Sequence, residues 1–121
     1  MGKRYGLATV LFVQVICAVF FVSDQSELIR LDRATGAVVW RVQLPQRDAR
    51  DDDIAASYNG PVVAGNRIFV GDGATGISIF APQDGSAQGR LDVAGGLAGA
   101  PAVIDGTLYV LSNTGTLHAF R

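Results

Sequence analysis

Gly60-Pro61-Val62-Val63-Ala64-Gly65-Asn66-Arg67-Ile68-Phe69-Val70 matches Ala100-Pro101-Ala102-Val103-Ile104-Asp105-Gly106-Thr107-Leu108-Tyr109-Val110 at a spacing of 40 residues without a gap, and the register continues to Phe80 and Phe120. A repeat of this length marks an architecture in which one unit cannot bury its own apolar faces and must stack on neighbours. A third, weaker copy lies upstream at a spacing of 49. Val19-Phe20-Phe21-Val22 falls over Ile68-Phe69-Val70-Gly71, Leu28 over Ile77, Leu31 over Phe80, and Thr35-Gly36 over Asp84-Gly85. The nine extra residues (49 less 40) fall between Trp40 and Gly60, where the polar run Gln46-Arg47-Asp48-Ala49-Arg50-Asp51-Asp52-Asp53 reads as a loop insertion. Such insertions are tolerated because closure entropy grows slowly with loop length.

The second copy shows the unit most fully. Val62 to Ala64 is a short apolar strand, Gly65-Asn66 a two-residue turn, and Arg67 to Val70 the next strand. After the glycine-rich turn Asp72 to Gly76, Ile77-Ser78-Ile79-Phe80 alternates as a strand should, with Ile77 and Ile79 on one face. Pro82-Gln83-Asp84-Gly85 is turn chemistry, and Gln88 to Val93 supplies a fourth strand. Four antiparallel strands per unit make a propeller blade. The small-residue linker Ala94 to Ala100 is expected to cross from the outer edge of one blade to the inner strand of the next.

The expected fold is therefore all-β: antiparallel four-stranded blades of an incomplete β-propeller, at about 19–45, 60–93 and 100–121, preceded by an apolar segment over 1–22. The third copy stops after Leu117-His118-Ala119-Phe120-Arg121, before a fourth strand. Propellers hold about four to eight blades, so some two and a half to three blades cannot close a ring alone. At the place of Gly65-Asn66 the first copy has Ile16-Cys17, which lack turn chemistry. The stretch before Val19 thus looks replaced, as a frameshift, a truncated gene model or a new start site would do.

Length and composition fit one small domain: 121 residues, 15 glycines and many Val, Ile and Phe. A net charge of −1 leaves no electrostatic footprint for nucleic acid. One cysteine permits no intrachain disulfide and says little of compartment. Two readings of the amino terminus stay open. Lys3 and Arg4 before the uncharged run Tyr5 to Val22 form the pattern of a secretory signal or membrane segment, associating with a membrane through residues 5–22. The β-branched residues Thr9, Val10, Val13, Val15, Ile16, Val19 and Val22 instead suit a pair of strands. No A-x-A cleavage site follows, and Ile16 stands where a small residue would precede a lipidated Cys17.

Leu31-Asp32-Arg33-Ala34-Thr35-Gly36-Ala37-Val38-Val39-Trp40 resembles the repeat signature of the pyrroloquinoline-quinone-like propellers, roughly A-L-D-x-x-T-G-x-x-x-W. Asp32, Thr35, Gly36 and Trp40 match it. Asp84 and Gly85 keep the turn in the second copy, but Gly89 stands where its tryptophan would fall. The resemblance implies that Trp40 docks against the neighbouring blade. Gly106-Thr107-Leu108-Tyr109-Val110 and the terminal Leu117-His118-Ala119-Phe120-Arg121 are similar to the last blade of the propeller lipoproteins of the outer-membrane β-barrel assembly machinery. That likeness covers about Val19 to Arg121 and implies a non-catalytic periplasmic propeller associated with the outer membrane. This chain would correspond to its C-terminal third, with protein partners in the assembly machinery and no cofactor.

Other chemistry is weak. Gly71-Asp72-Gly73-Ala74-Thr75-Gly76 spells G-x-G-x-x-G, but a strand follows where a dinucleotide site needs a helix. Asp51-Asp52-Asp53 lacks the spacing of a calcium loop and is expected to be solvated beside Arg47 and Arg50. Arg47, Asp48, Arg50, Asp51, Asp52 and Asp53 form instead a candidate partner loop, since repeat folds often bind through an insertion on one unit. His118, the single histidine, has no metal or triad companion, and its counterpart Ser78 is expected on the solvent face. No catalytic, cofactor or metal residue is expected. Two alternatives remain: a remnant of a quinoprotein dehydrogenase, whose adjacent cysteine pair and calcium set of Glu, Asn and Asp are not recognisable here, and a small inner-membrane-anchored β-rich protein.

Overall fold

Strands of alternating or wholly apolar residues, separated by turns in which glycine and asparagine take positive φ, account for most of the chain. The computed structural model describes residues 18–48 and 51–121, without the side chains of residues 51 and 52. Among them β1 (Ala18–Val22), β2 (Glu27–Asp32) and β3 (Val38–Gln43) form one antiparallel sheet in that order. A hairpin of β4 (Arg47–Asp48) and β5 (Asp51–Ala55) follows. Then comes a four-stranded sheet of β6 (Tyr58–Ala64), β7 (Arg67–Asp72), β8 (Gly76–Phe80) and β9 (Ala87–Asp92). A three-stranded sheet of β10 (Ala102–Ile104), β11 (Thr107–Leu111) and β12 (Leu117–Phe120) ends the chain. Every strand pair is antiparallel and joins neighbours in sequence.

The turns have the chemistry their positions require. Gly65 and Asn66 (φ 58° and 59°) close β6 onto β7, and Asp105 and Gly106 (φ 51° and 75°) close β10 onto β11. Two positive-φ residues match the right-handed twist of a hairpin, which explains why both copies carry Gly, Asn or Asp here.

The central sheet is buried on both faces. Ile68, Val70 and Phe80 pack with Leu28 and Leu44, and Phe20, Val22, Trp40 and Val42 close that core from the first sheet. On the opposite face Ile77 packs with Val93, Leu97, Leu108 and Val110, joined by Phe69, Leu91, Val103 and Phe120. Two inter-sheet cores thus replace one central core, as a repeat stack requires. Ser78 lies on the first of these faces, opposite Val70, and is half-buried beside Arg90 rather than on a solvent face.

The linker is bonded to both of its neighbours. Leu97 N–H donates to the Asp72 carbonyl at 2.9 Å and Ala98 N–H to the Leu111 carbonyl at 2.9 Å. A Cβ on Gly96 would lie 2.3 Å from the Gly73 carbonyl carbon, so the chain passes where only glycine fits. The insertion also departs from the expected loop. Its ends are held as a hairpin by the pairs Arg47 with Ala55 and Asp48 with Asp51, and by Ala56 N–H donating to the Gln46 carbonyl at 3.0 Å. Asp48, within the insertion, is buried.

Of the apolar amino-terminal run, Ala18–Val22 is strand β1, which puts Phe20 and Val22 into the core. Its earlier part, including Ile16 and Cys17, lies outside the described residues, as do Lys3 and Arg4. No helix among the described residues is long and apolar enough to cross a membrane.

Ile68 and Ile77 are fully inaccessible, whereas Leu117 is 67% exposed. Ile68→Ala and Ile77→Ala should each cost about 2–5 kcal/mol in urea unfolding. Leu117→Ala should stay within about 0.5 kcal/mol of the parent. Equal effects at all three positions would contradict two sealed inter-sheet cores.

Candidate functional site: the sheet junction and the hairpin cleft

Two polar constructions stand out from the stacked sheets. The first joins sheets one and two. Asp32 accepts hydrogen bonds at Oδ1 from the N–H groups of Ala34 (2.8 Å) and Thr35 (3.3 Å), and Thr35 Oγ1 accepts from Ala37 N–H at 3.2 Å. Gly36 completes that turn at φ 74°. The turn sets the start of β3, which carries Trp40 to the edge of the first core. Trp40 Nε1–H donates to the Pro82 carbonyl at 2.9 Å, and an Arg30 guanidinium nitrogen donates to the same oxygen at 2.8 Å. Phe20 lies beneath both, 6.0 Å from the indole and 5.8 Å from the guanidinium. Gly85, on the turn after Pro82, has φ 75°, and a Cβ there would lie 2.8 Å from Trp40 and Val42. Asp84 Oδ1 holds this second turn by accepting Ser86 N–H at 2.9 Å, a bond that keeps its carboxyl below the ordinary range.

The second construction is a cleft of about 400 Å³ between the β4–β5 hairpin and the central sheet. Arg47, Asp48, Tyr58, Asp72, Thr75 and Arg90 contribute to its lining. Burial pushes the Asp72 carboxyl toward its neutral form, but the N–H groups of Thr75, Ala74 and Gly76 and the Thr75 hydroxyl outweigh it. The carboxyl is held below its ordinary value. Arg90 pairs with Asp72 at 3.2 Å and with Asp92 at 3.4 Å, and it also donates to Ser78 and Thr75. Burial, and then the Asp72 charge, push the Tyr58 hydroxyl up to about 12, so it stays a donor and bonds the Pro45 carbonyl. The site is an ordered, charged recess with both signs of charge. Among the described residues no three of His, Cys, Asp and Glu converge as metal ligands.

The structure brings Trp40 together with Gly85 and leaves Asp32, Thr35 and Gly36 within their own turn. Of the candidate partner loop, Arg47 and Asp48 line the cleft and Asp53 lies exposed on β5. Asp51 and Asp52 are placed as backbone in β5, and Arg50 lies outside the described residues. Sequence reasoning missed Arg30, Tyr58, Asp72 and Arg90. A signal for Asp72 was present: it falls over Ser112 at a spacing of 40 and over Ser23 at 49. All three cap the same turn, with Ser23 accepting from Glu27 N–H (3.2 Å), Asp72 from Gly76 N–H (3.2 Å) and Ser112 from Thr116 N–H (3.1 Å).

A protein family described as "Outer membrane protein assembly factor BamB" matches residues 17–88. The chain is similar to the BamB of Alkalilimnicola ehrlichii, at 35% identity over 103 residues, which covers 84% of this chain and 25% of that one. It is similar also to the BamB of Legionella pneumophila, at 29% identity over 82% of this chain and 24% of that one. The crystal structure of BamB from Moraxella catarrhalis superposes with a TM-score of 0.70 at 26% identity, over 86% of this chain and 28% of that one. The chain spans about a quarter of the length of the curated relatives.

Trp40→Phe keeps the ring but loses the bond to Pro82 and should cost about 1 kcal/mol. Trp40→Ala should cost about 3 kcal/mol or more. Denaturant unfolding of both variants checks this ordering, and an unchanged Trp40→Ala midpoint would place the indole outside the junction. The lowered Asp72 value contributes stability that is present above the ordinary 3.8 and lost as pH falls through the folded value. Thermal midpoints should therefore fall more steeply below about pH 4 in the parent than in Asp72→Asn.

Proposed function

The chain belongs to the outer membrane protein assembly factor BamB family, and from that membership we propose that it serves as a non-catalytic propeller scaffold, a segment through which the assembly of outer-membrane β-barrel proteins is assisted. One observation carries the reading. The β4–β5 hairpin, the nine-residue departure from the repeat, does not stand free but walls a charged cleft with Asp72 and Arg90. Repeat proteins bind partners where an insertion interrupts otherwise equivalent units. The partner is a protein of the assembly machinery, docking on Arg47, Asp48 and Asp53 with the backbone of Asp51 and Asp52 in β5. Arg50 belongs to the same segment in sequence. The place of action is the periplasm, at the outer membrane. No cofactor or metal takes part.

A photo-crosslinking amino acid placed at Arg47 or Asp53 tests this in intact bacterial envelopes. Adducts with assembly-machinery proteins should form from both positions, and not from the exposed Arg33 on the β2–β3 turn. Equal yields from Arg33 and the hairpin would overturn the assignment. Fractionation should recover the chain with the periplasm or outer membrane, and retention in the inner membrane would overturn the location.

A further inference from the structure

The two inter-sheet junctions are repeat copies of one another, and they differ at one place. In the first junction Leu28, Arg30, Trp40 and Val42 share a face of sheet one, and Phe20 lies on the same face. At a spacing of 49 these positions become Ile77, Ile79, Gly89, Leu91 and Phe69 of the central sheet. The strand register supports the equivalence independently. Arg30 pairs with Trp40 and Ile79 pairs with Gly89, and in each sheet the ladder is then interrupted at the next residue, Leu31 or Phe80. Gly89 therefore occupies the place of the tryptophan, turned toward the third sheet.

Nothing has moved in to fill it. A Cβ on Gly89 would meet no atom within 4 Å. Beside it a groove of about 370 Å³ runs between sheets two and three, walled by Phe69, Ile79, Leu91, Val103 and Phe120. Phe69 and Leu91 are the counterparts of Phe20 and Val42, which pack with Trp40 in the first core. Arg67 and Arg121 also line the groove, and neither has an ion pair among the described residues. Apolar walls with a few charged groups are the ordinary construction of a ligand cleft. An aromatic ring is the group that gains most from such walls, and guanidinium groups beside it select for carboxylate.

We propose that this groove binds an aromatic side chain of a partner polypeptide, an indole or phenyl ring flanked by an acidic residue, beside Gly89, the counterpart of Trp40 in the preceding unit. The site lies on a different junction from the hairpin cleft and stands or falls separately from the scaffold reading.

Methyl-detected NMR of the full chain tests it, with the pentapeptide acetyl-Gly-Asp-Trp-Asp-Gly-amide as probe and the same peptide carrying Ser for Trp as control. The tryptophan peptide should shift the methyls of Leu91, Val103 and Leu108, and the serine peptide should not. Gly89→Trp supplies the ring from within and should weaken binding at least tenfold while the variant keeps a dispersed, folded spectrum. Arg67→Glu, which leaves the apolar walls intact, should weaken it about threefold or more, as loss of an exposed charge pair does. Absence of shifts at millimolar peptide, or binding that persists unchanged in both variants, would overturn the proposal. Concentration-dependent shifts of the same methyls without peptide would assign the groove to a second copy of the chain and overturn the foreign partner.

Discussion

Ile68 and Ile77 sit on neighbouring strands of the central sheet, face opposite ways, and are both completely withdrawn from water. The rest of the structure depends on that double burial. A sheet with one wet face needs a single core, but a sheet apolar on both faces needs a neighbour on each side. Here the neighbours are the sheets before and after it in the chain. Short antiparallel connections make consecutive units adjacent, so each junction is built from residues that the repeat has already placed on the correct face.

Apolar stacking is non-directional, and the Trp40 junction adds direction. The indole and the Arg30 guanidinium converge on one carbonyl oxygen, that of Pro82, and Gly85 is the residue small enough to lie under the ring. The contact sets how far the first sheet can slide or rotate over the second. The next junction has Gly89 and Ile79 at those positions, so it is held by apolar packing and by the bonded linker through Leu97 and Ala98.

Distinct chemistry arises wherever one unit departs from its copies. Ser23 and Ser112 cap their turns as neutral hydroxyls, whereas Asp72 caps its turn as a carboxylate and so recruits Arg90. The inserted hairpin then walls a recess beside that ion pair. Beside Gly89, which lacks the side chain of its counterpart, runs a groove lined by Ile79 and Leu91. A perfectly regular stack would offer neither recess nor groove, which is the physical reason that recognition in such folds concentrates at irregular units.

The sequence by itself determined the strands, their two-residue turns and the all-β stacking architecture. Each follows from local rules: period-two alternation, positive φ at Gly and Asn, and a register that repeats without gaps through Phe80 and Phe120. It also marked the insertion, because nine residues broke the spacing. Only the tertiary structure decided what the polar residues do. Asp72, Arg90 and Tyr58 lie on three strands, so no spacing in the chain announces their convergence. Asp48, inside the polar insertion, is buried where the hairpin walls the cleft. Ser78 is half-buried because its face belongs to the junction with the preceding sheet. Backbone geometry and apolar period are written residue by residue, whereas the pairing of charges depends on which sheet faces which, and that exists only once the units have stacked.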